Sequence, residues 1–567
     1  MPYEPCEHEP DTLPEHEYNS DSLCAIEFPT ANDQRNRMLL VITSSYGLSG
    51  LIHAGLLLIL LFVIWTERLE VEKKEASLLP KLERPKETYD PDIRRAMRKK
   101  PRIDSERIVR NPVVPLEDPE PTAEPPKGDP LRQSNKEMRD AGVSDPMGVG
   151  GRPAGAYGHR WNRGRHCGDI GMSDVSESAV LAALYWLKRH QDPDGKWSAA
   201  EFHRNCDASR KQCWGHDMRT ALAKGPGAGD SRYDVGVSAL ALLAFLGDGH
   251  THRHARIPEF RPVVKRGLSY LRSEQRPDGS VGFEGGEGIY NHAIATLALC
   301  ECYAVSRDFT LRSPAQKAVD WLVRAQNPGL GWKYGVQTGK NDTSVTGWSV
   351  LALKAARVAK LTVPQAAFDG AVTWFERVTT DGTGPRRPPG LVGYERPGDG
   401  GSTLNRKCLD NPDSYNDFAG APTMTAVSVL CRLFTGQDRS HPRVKQGLRI
   451  MTARPPRWDG PAIKRRNQTN FYYWYYGTYG VFQATKPGSP QWRRWNRAMQ
   501  EALLGDGTNR QRMGRDDDAD GSWDPVGEWG LPGGRVYATA LNALTLEIYY
   551  RYERVVAENA AGSRKKK

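Results

Sequence analysis

The sequence has no Cys-x-x-Cys pair among its nine cysteines, which removes the usual spacing signature of a thiolate metal module. It also carries no recognised nucleic-acid motif to accompany its formal net charge of +11, and its Lys and Arg are spread through linker and helix faces. Nucleic acid is therefore not an expected partner. Residues 67–170 lack the apolar residues needed for a core, and Pro101, Pro112, Pro115 and Pro119 punctuate them. That composition predicts an extended, semi-rigid spacer rather than a domain. Uncharged runs of membrane-spanning length are scarce too: only one occurs, between Met38 and Thr66.

What is present is a repeat. Gln191-Asp192-Pro193-Asp194-Gly195-Lys196-Trp197 returns as Gln275-Arg276-Pro277-Asp278-Gly279-Ser280, as Gln326-Asn327-Pro328-Gly329-Leu330-Gly331-Trp332, and finally as Asp520-Gly521-Ser522-Trp523. Two degenerate copies, Thr380-Asp381-Gly382 and Arg457-Trp458-Asp459-Gly460, lie between them. Repetition of this kind multiplies a supersecondary unit that cannot bury its apolar face alone.

A helical period leads into each turn. Apolar residues recur at i, i+4 and i+7 in Val180/Leu184/Leu187, Val264/Leu268/Leu271, Ala315/Val319/Leu322, Phe368/Val372/Phe375, Val444/Leu448/Met451 and Trp495/Met499/Ala502. The remaining faces are charged, so these are outer helices with one buried stripe. Between them run segments that are apolar or small nearly all round: 235–246, 292–305, 343–356, 425–433, 472–483 and 536–549. A helix without a charged face is a buried one. The alternation predicts an all-α fold, an (α/α)6 toroid whose inner ring surrounds a central cavity, over residues 171–555.

The Gln-x-x-Asp-Gly-x-Trp repeat between alternating helices resembles that of the prenyltransferase and squalene-cyclase family, whose members are α/α toroids. The resemblance spans Ser176 to Arg554 and speaks to fold more than to activity. It implies a hydrophobic isoprenoid ligand for the cavity.

The flanks have their own character. Residues 1–37 hold nine acidic residues against Arg35 and Arg37 and predict a disordered tail. Residues 38–66 predict a single transmembrane helix, since a bilayer core takes about 20 apolar residues. Ser49 and His53 share one face of that helix. Ser-x-x-x-His ahead of a Leu-rich run and a Pro-rich spacer resembles the anchors of TonB and TolA energy transducers, and implies ExbB/ExbD-like motor subunits as partners. Basic residues after the helix favour a cytoplasmic toroid, whereas the transducer resemblance favours a periplasmic one, which is the expectation adopted. Residues 556–567 form a basic tail.

Antiparallel packing brings the first residues of all six predicted inner helices to one mouth. Candidate mouth residues are Asp234, His292, Asp342, Tyr473, Trp474, Arg535 and Tyr537, as helix caps or as a polar rim for an anionic group. His250, His252 and His254 cluster at a helix end without a carboxylate spaced to complete a metal site, and Cys206 and Cys213 are candidates to pair with each other, or one of them with Cys167, in a disulfide. The chemistry that the resemblance brings to mind is missing: there is no Asp-x-Asp-Asp acid motif, no Asp/Cys/His zinc set and no thioester Gly-Cys-Gly-Glu-Gln. Asp516-Asp517-Asp518-Ala519-Asp520 matches a diphosphate-binding pattern but falls in a turn, where it reads as solvated charge. No cofactor or metal is expected. The leading expectation is a membrane-anchored binding or envelope-associated module, and the alternative is an enzyme acting on a prenyl or terpenoid substrate.

Deleting residues 38–66 should move the protein from the membrane pellet to the soluble fraction. Retention in the pellet after carbonate washing would reveal a second attachment.

Overall fold

A computed structural model describes His53, Arg160, Cys167 and residues 170–551 apart from 217–223, 283–284, 286–287, 383–386, 400–421, 460–468, 506–509, 514–516 and 528. The acidic tail, the basic tail, the run around Ser49 and the spacer lie outside the described residues, except that Arg160, Cys167 and Ile170 at the end of the predicted spacer are described and buried. Of that run only His53 is described, helical and exposed. Among the described residues no helix is long and apolar enough to cross a membrane.

Among the described residues, twelve helices of ten residues or more alternate between two layers. The outer ones are α1 (Asp174–Arg189), α3 (Phe260–Ser273), α5 (Arg312–Ala325), α7 (Gln365–Arg377), α9 (Pro442–Thr452) and α11 (Pro490–Leu504). The inner ones are α2 (Asp234–Gly247), α4 (Gly288–Ser306), α6 (Thr343–Val358), α8 (Thr423–Phe434), α10 (Phe471–Ala484) and α12 (Gly530–Leu546). A short α13 (Ile548–Arg551) ends the described chain. Each inner helix packs on the next, and α12 returns to α2, so the inner ring is closed. The α/α toroid expected from the alternation is the architecture observed. A two-residue antiparallel pair, Gly215–His216 with Lys224–Gly225, is the one strand pairing described, and it belongs to the insertion between the first turn and α2.

The repeat works through the amide of its glutamine. Gln191 Nε2 donates to Gly195 O of its own turn at 2.9 Å and to Val263 O of the next outer helix at 3.0 Å. Gln275 does the same to Gly279 O and Pro314 O, and Gln326 to Leu330 O and Ala367 O. In the last repeat the role falls to Gln511, which joins Gly521 O to Ala179 O on α1 and so closes the outer ring on itself. The turn glycine is tied to the same contact. Gly521 has φ +95°, and a Cβ there would stand 2.3 Å from Ala182 O, as one at Gly195 would from Arg266 O or one at Gly279 from Lys317 O. In the fourth repeat a longer loop shifts this position from the expected Gly382 to Gly390, whose N–H bonds Thr380 O and whose Cβ would meet Gln446 of α9.

Tryptophan closes three of the turns identically. Trp197, Trp332 and Trp523 donate their indole N–H to Leu187 O, Leu322 O and Leu503 O at 2.7, 2.8 and 2.9 Å. A backbone N–H after each turn then bonds an acceptor on the first turns of the following inner helix: Ser238, His292, Thr346, Thr425 and Thr539 fill this place in successive repeats, the fifth repeat excepted.

Gln511→Leu should remove both closing bonds and leave the buried Gly521 carbonyl without its donor, a loss of about 1–3 kcal/mol. Urea unfolding monitored by tryptophan fluorescence checks this, with Gly521→Ala expected to match or exceed it. A loss no larger than that of an exposed Gln491→Ala control would count against the closure role.

Candidate functional site

The first turns of the inner helices converge on a cavity of about 80 Å3. Tyr233, Val237 and Leu240 supply the α2 side, Tyr290 and Asn291 the α4 side, and Ser344, Trp348, Tyr472, Trp529 and Tyr537 the rest. Its wall is aromatic because these inner helices present rings where an open barrel would present small residues. Beneath it Trp348 stacks on Tyr475 at 5.8 Å and meets Tyr476 edge-on at 5.5 Å. Tyr472 packs edge-on against both Tyr476 and Trp529, and its hydroxyl pairs with Ser344 Oγ at 2.7 Å. Offset and edge-to-face pairs of this kind add to the energy of burial itself, so the axis of the toroid is filled below the mouth. At roughly 10–15 Å3 for each water, the cavity takes a handful of waters or one short apolar group.

Of the candidate mouth residues, Tyr537 lines this cavity. Asp234 accepts from Ala199 N at 2.8 Å and from Ser198, and burial pushes its carboxyl up to about 6. Asp342 caps α6 through Val345 N at 2.7 Å. It is fully buried beside Tyr394, and burial lifts it to about 7. His292 faces the outer layer: its Nδ1 accepts from Val281 N at 3.0 Å, so Nε2 carries the hydrogen and donates to Ala318 O at 3.0 Å. Burial holds that ring neutral, near 3. Tyr473 likewise points outward, its hydroxyl bonding Arg454 O and Met451 O, and Trp474 is buried against Phe471. Arg535 is fully buried and grips the insertion and the last turn through Pro226 O, Ser522 Oγ and Asp524. The convergence of helix starts was legible, but successive residues on a helix turn by about 100°, so only some first residues face the axis. Tyr233 and Trp529 were missed because each precedes its helix.

The histidine cluster disperses. His250 bonds Asp248 at 2.8 Å, His252 bonds Asp308 at 2.8 Å, and His254 is exposed. The acidic run departs from solvated charge as well: Asp518 is fully buried, and it takes Arg189, Arg210 and the Asp207 N–H. Beside it, three groups that the sequence left unconnected come together. His190, Cys206 and Cys213 place a ring nitrogen and two sulfurs within 4.8 Å of one another, a grouping that could hold a metal ion. No spacing pattern announced this grouping, because His190 follows the end of α1 and the two cysteines lie in the insertion. Cys206 is held down to about 5, first by the thiol hydrogen bond from Cys213 and then by His190, while burial pushes Cys213 up.

The family model for the squalene-hopene cyclase C-terminal domain matches residues 231–384, from the approach to α2 through the loop after α7. The chain is thus similar to that domain over a minority of its length. No curated protein matches it. Solved structures similar in fold include an inactive variant of an α-1,6-mannanase of Salegentibacter sp. (13% identity, 67% of this chain and 99% of that one, TM-score 0.41). An unsaturated glucuronyl hydrolase from Bacillus sp. GL1 gives 15% identity over 66% and 96%, with a TM-score of 0.44. A type II terpene cyclase from Scytonema gives 11% over 66% and 97%, with 0.39. Scores this low assign no activity.

Asp342 makes stability pH-dependent in a specific direction. Its folded pKa lies above the usual carboxylate value, so the cost of ionising it is absent below about pH 4 and grows as pH rises toward 7. Asp342→Asn keeps a capping oxygen and removes that cost, so the variant should gain up to a few kcal/mol on wild type between pH 4 and pH 8. Parallel unfolding curves at the two pH values measure it, and an unchanged difference would refute the buried-carboxyl assignment.

Proposed function

We propose that the protein is a membrane-anchored binding module whose toroid takes one short apolar group, such as the end of an isoprenoid chain, into the aromatic mouth. The observation that carries this reading is the filled axis: the Trp348, Tyr475 and Tyr476 rings close the floor of a cavity of about 80 Å3. A polycyclising enzyme has to enclose its whole substrate, whereas a module needs only a recess that shields one end of a ligand. Aromatic faces suit branched hydrocarbon and give it shape selectivity. Residues 38–66 supply the anchor in this reading, with the toroid on the periplasmic side and ExbB/ExbD-like subunits as partners for the Ser49 and His53 face.

One observation favours the enzyme alternative. Asp342, held near pKa 7 by burial, is a carboxylic acid that keeps its proton in part at neutral pH. It caps α6 behind the mouth rather than on the cavity wall, so the binding reading is preferred.

Farnesol and geranylgeraniol should quench the fluorescence of Trp348 and Trp529 saturably, and Val237→Phe should abolish the quenching while thermal stability stays within about 1 kcal/mol of wild type. Absence of quenching sinks the isoprenoid reading. Conversion of either probe to a cyclised product, detected by mass spectrometry and lost in Asp342→Asn, would establish the enzyme instead.

A further inference from the structure

We propose that His190, Cys206 and Cys213 bind a single zinc ion, at a site separate from the mouth cavity, that fastens the insertion to the end of the first outer helix. The geometry argues for an ion in four ways.

The first is distance. Zinc lies about 2.3 Å from sulfur and 2.0–2.1 Å from imidazole nitrogen, so tetrahedral ligands stand roughly 3.8 Å apart for two sulfurs and 3.6 Å for sulfur and nitrogen. The observed separations are 3.5 Å between the sulfurs and 3.5 and 3.2 Å from the sulfurs to Nε2. All three edges are within a few tenths of an ångström of the tetrahedral values, which small side-chain rotations supply.

The second is orientation. His190 Nδ1 lies 2.8 Å from Trp186 O, and a carbonyl can only accept, so Nδ1 carries the hydrogen. In the neutral ring that leaves the Nε2 lone pair facing both sulfurs. Fixing the tautomer through a backbone carbonyl is what a metal-bound histidine ordinarily requires. The ring itself is locked by stacking on Trp186 at 4.2 Å and an edge contact with Phe202.

The third is burial and charge. His190 and Cys213 are buried and Cys206 is half-buried, so the ligands are held without closing the site to an ion. On loading, the two sulfurs become thiolates, the thiol protons leave to solvent, and two negative charges balance the dication. Arg189 and Arg210, held by Asp518 on one side, keep the surroundings charge-matched. Asp518 Oδ2 lies 3.6 Å from Nε2 and accepts from Asp207 N, while its other oxygen accepts from Arg189 and Arg210, so the fourth position is left to water or to this carboxylate. Thiolate with imidazole selects zinc over the oxygen-seeking cations.

The fourth concerns the rival state, a Cys206 to Cys213 disulfide. Oxidation would consume both sulfurs and leave the buried Nε2 facing only a carboxylate, to which it could bond only as a donor. The ion uses every lone pair that the pocket presents. The set also differs from the Asp/Cys/His combination of zinc-dependent prenyltransferases, since two of its ligands come from an insertion and none from an inner helix.

The test uses the full-length chain purified in detergent without chelator. Elemental analysis should find about one zinc per chain, falling to background in Cys206→Ser and in Cys213→Ser while a Cys300→Ser control retains it. Should the variants fail to fold, replacing zinc by cobalt in the wild type provides the second readout: thiolate-to-cobalt charge-transfer bands and intense tetrahedral ligand-field bands are expected. Absence of zinc, zinc that persists in both cysteine variants, or a Cys206 to Cys213 disulfide in peptide maps of the unreduced protein would each overturn the proposal.

Discussion

A primary amide offers two N–H donors in one plane, and the toroid depends on how its glutamines use them. One donor satisfies the carbonyl of the turn that follows, and the other satisfies a carbonyl near the start of the next outer helix. The turn carbonyl is otherwise an orphan of a chain reversal, whose burial without a partner costs more than the bond itself gains, and the helix carbonyl takes the amide as a second donor. The repeat is therefore a device for spacing outer helices. Once that spacing is set, the turn tryptophans and the hydroxyl acceptors on the inner helices follow, and Gln511 converts a row of units into a ring.

The ring creates an axial space that the inner helices then largely fill. Trp348 and the Tyr472, Tyr475 and Tyr476 rings trade cavity volume for packing, leaving a recess only at the mouth. Small-residue inner helices would leave an open barrel suited to a large substrate. Bulky ones give a rigid rim with a shallow apolar well, which is the physical basis for preferring a binding role. The polar residues at the helix starts mostly satisfy backbone groups, as Asp342 and Asp234 do, rather than facing a ligand.

Much of this was legible in the sequence because two signals were periodic: the helical apolar stripe and the turn. The outer and inner layers, their order and the equivalence of Trp197, Trp332 and Trp523 all follow from those signals. What was not legible depended on insertions or on substitution of function at a repeated place. Gln511 was missed because its loop separates it from Asp520, whereas Gln191 and Gln275 precede their aspartates by three residues. Gly390 replaced Gly382 for the same reason. His292 looked like a mouth residue but occupies the place that Ser or Thr fills in other repeats, accepting a turn N–H. The meeting of His190 with Cys206 and Cys213 had no spacing signature, since the insertion that carries the cysteines folds back on the end of the helix it follows.

Arg160 adds a consequence of its own. Its guanidinium reaches Leu246 O, Arg551 O and Glu301, all at the C-terminal ends of inner elements, while the cavity is lined by their first turns. Arg160 is thus clasped at the end of the inner ring opposite the cavity. Pulling Arg160 out would leave Glu301 paired with Arg551 and take the guanidinium from Leu246 O and Arg551 O.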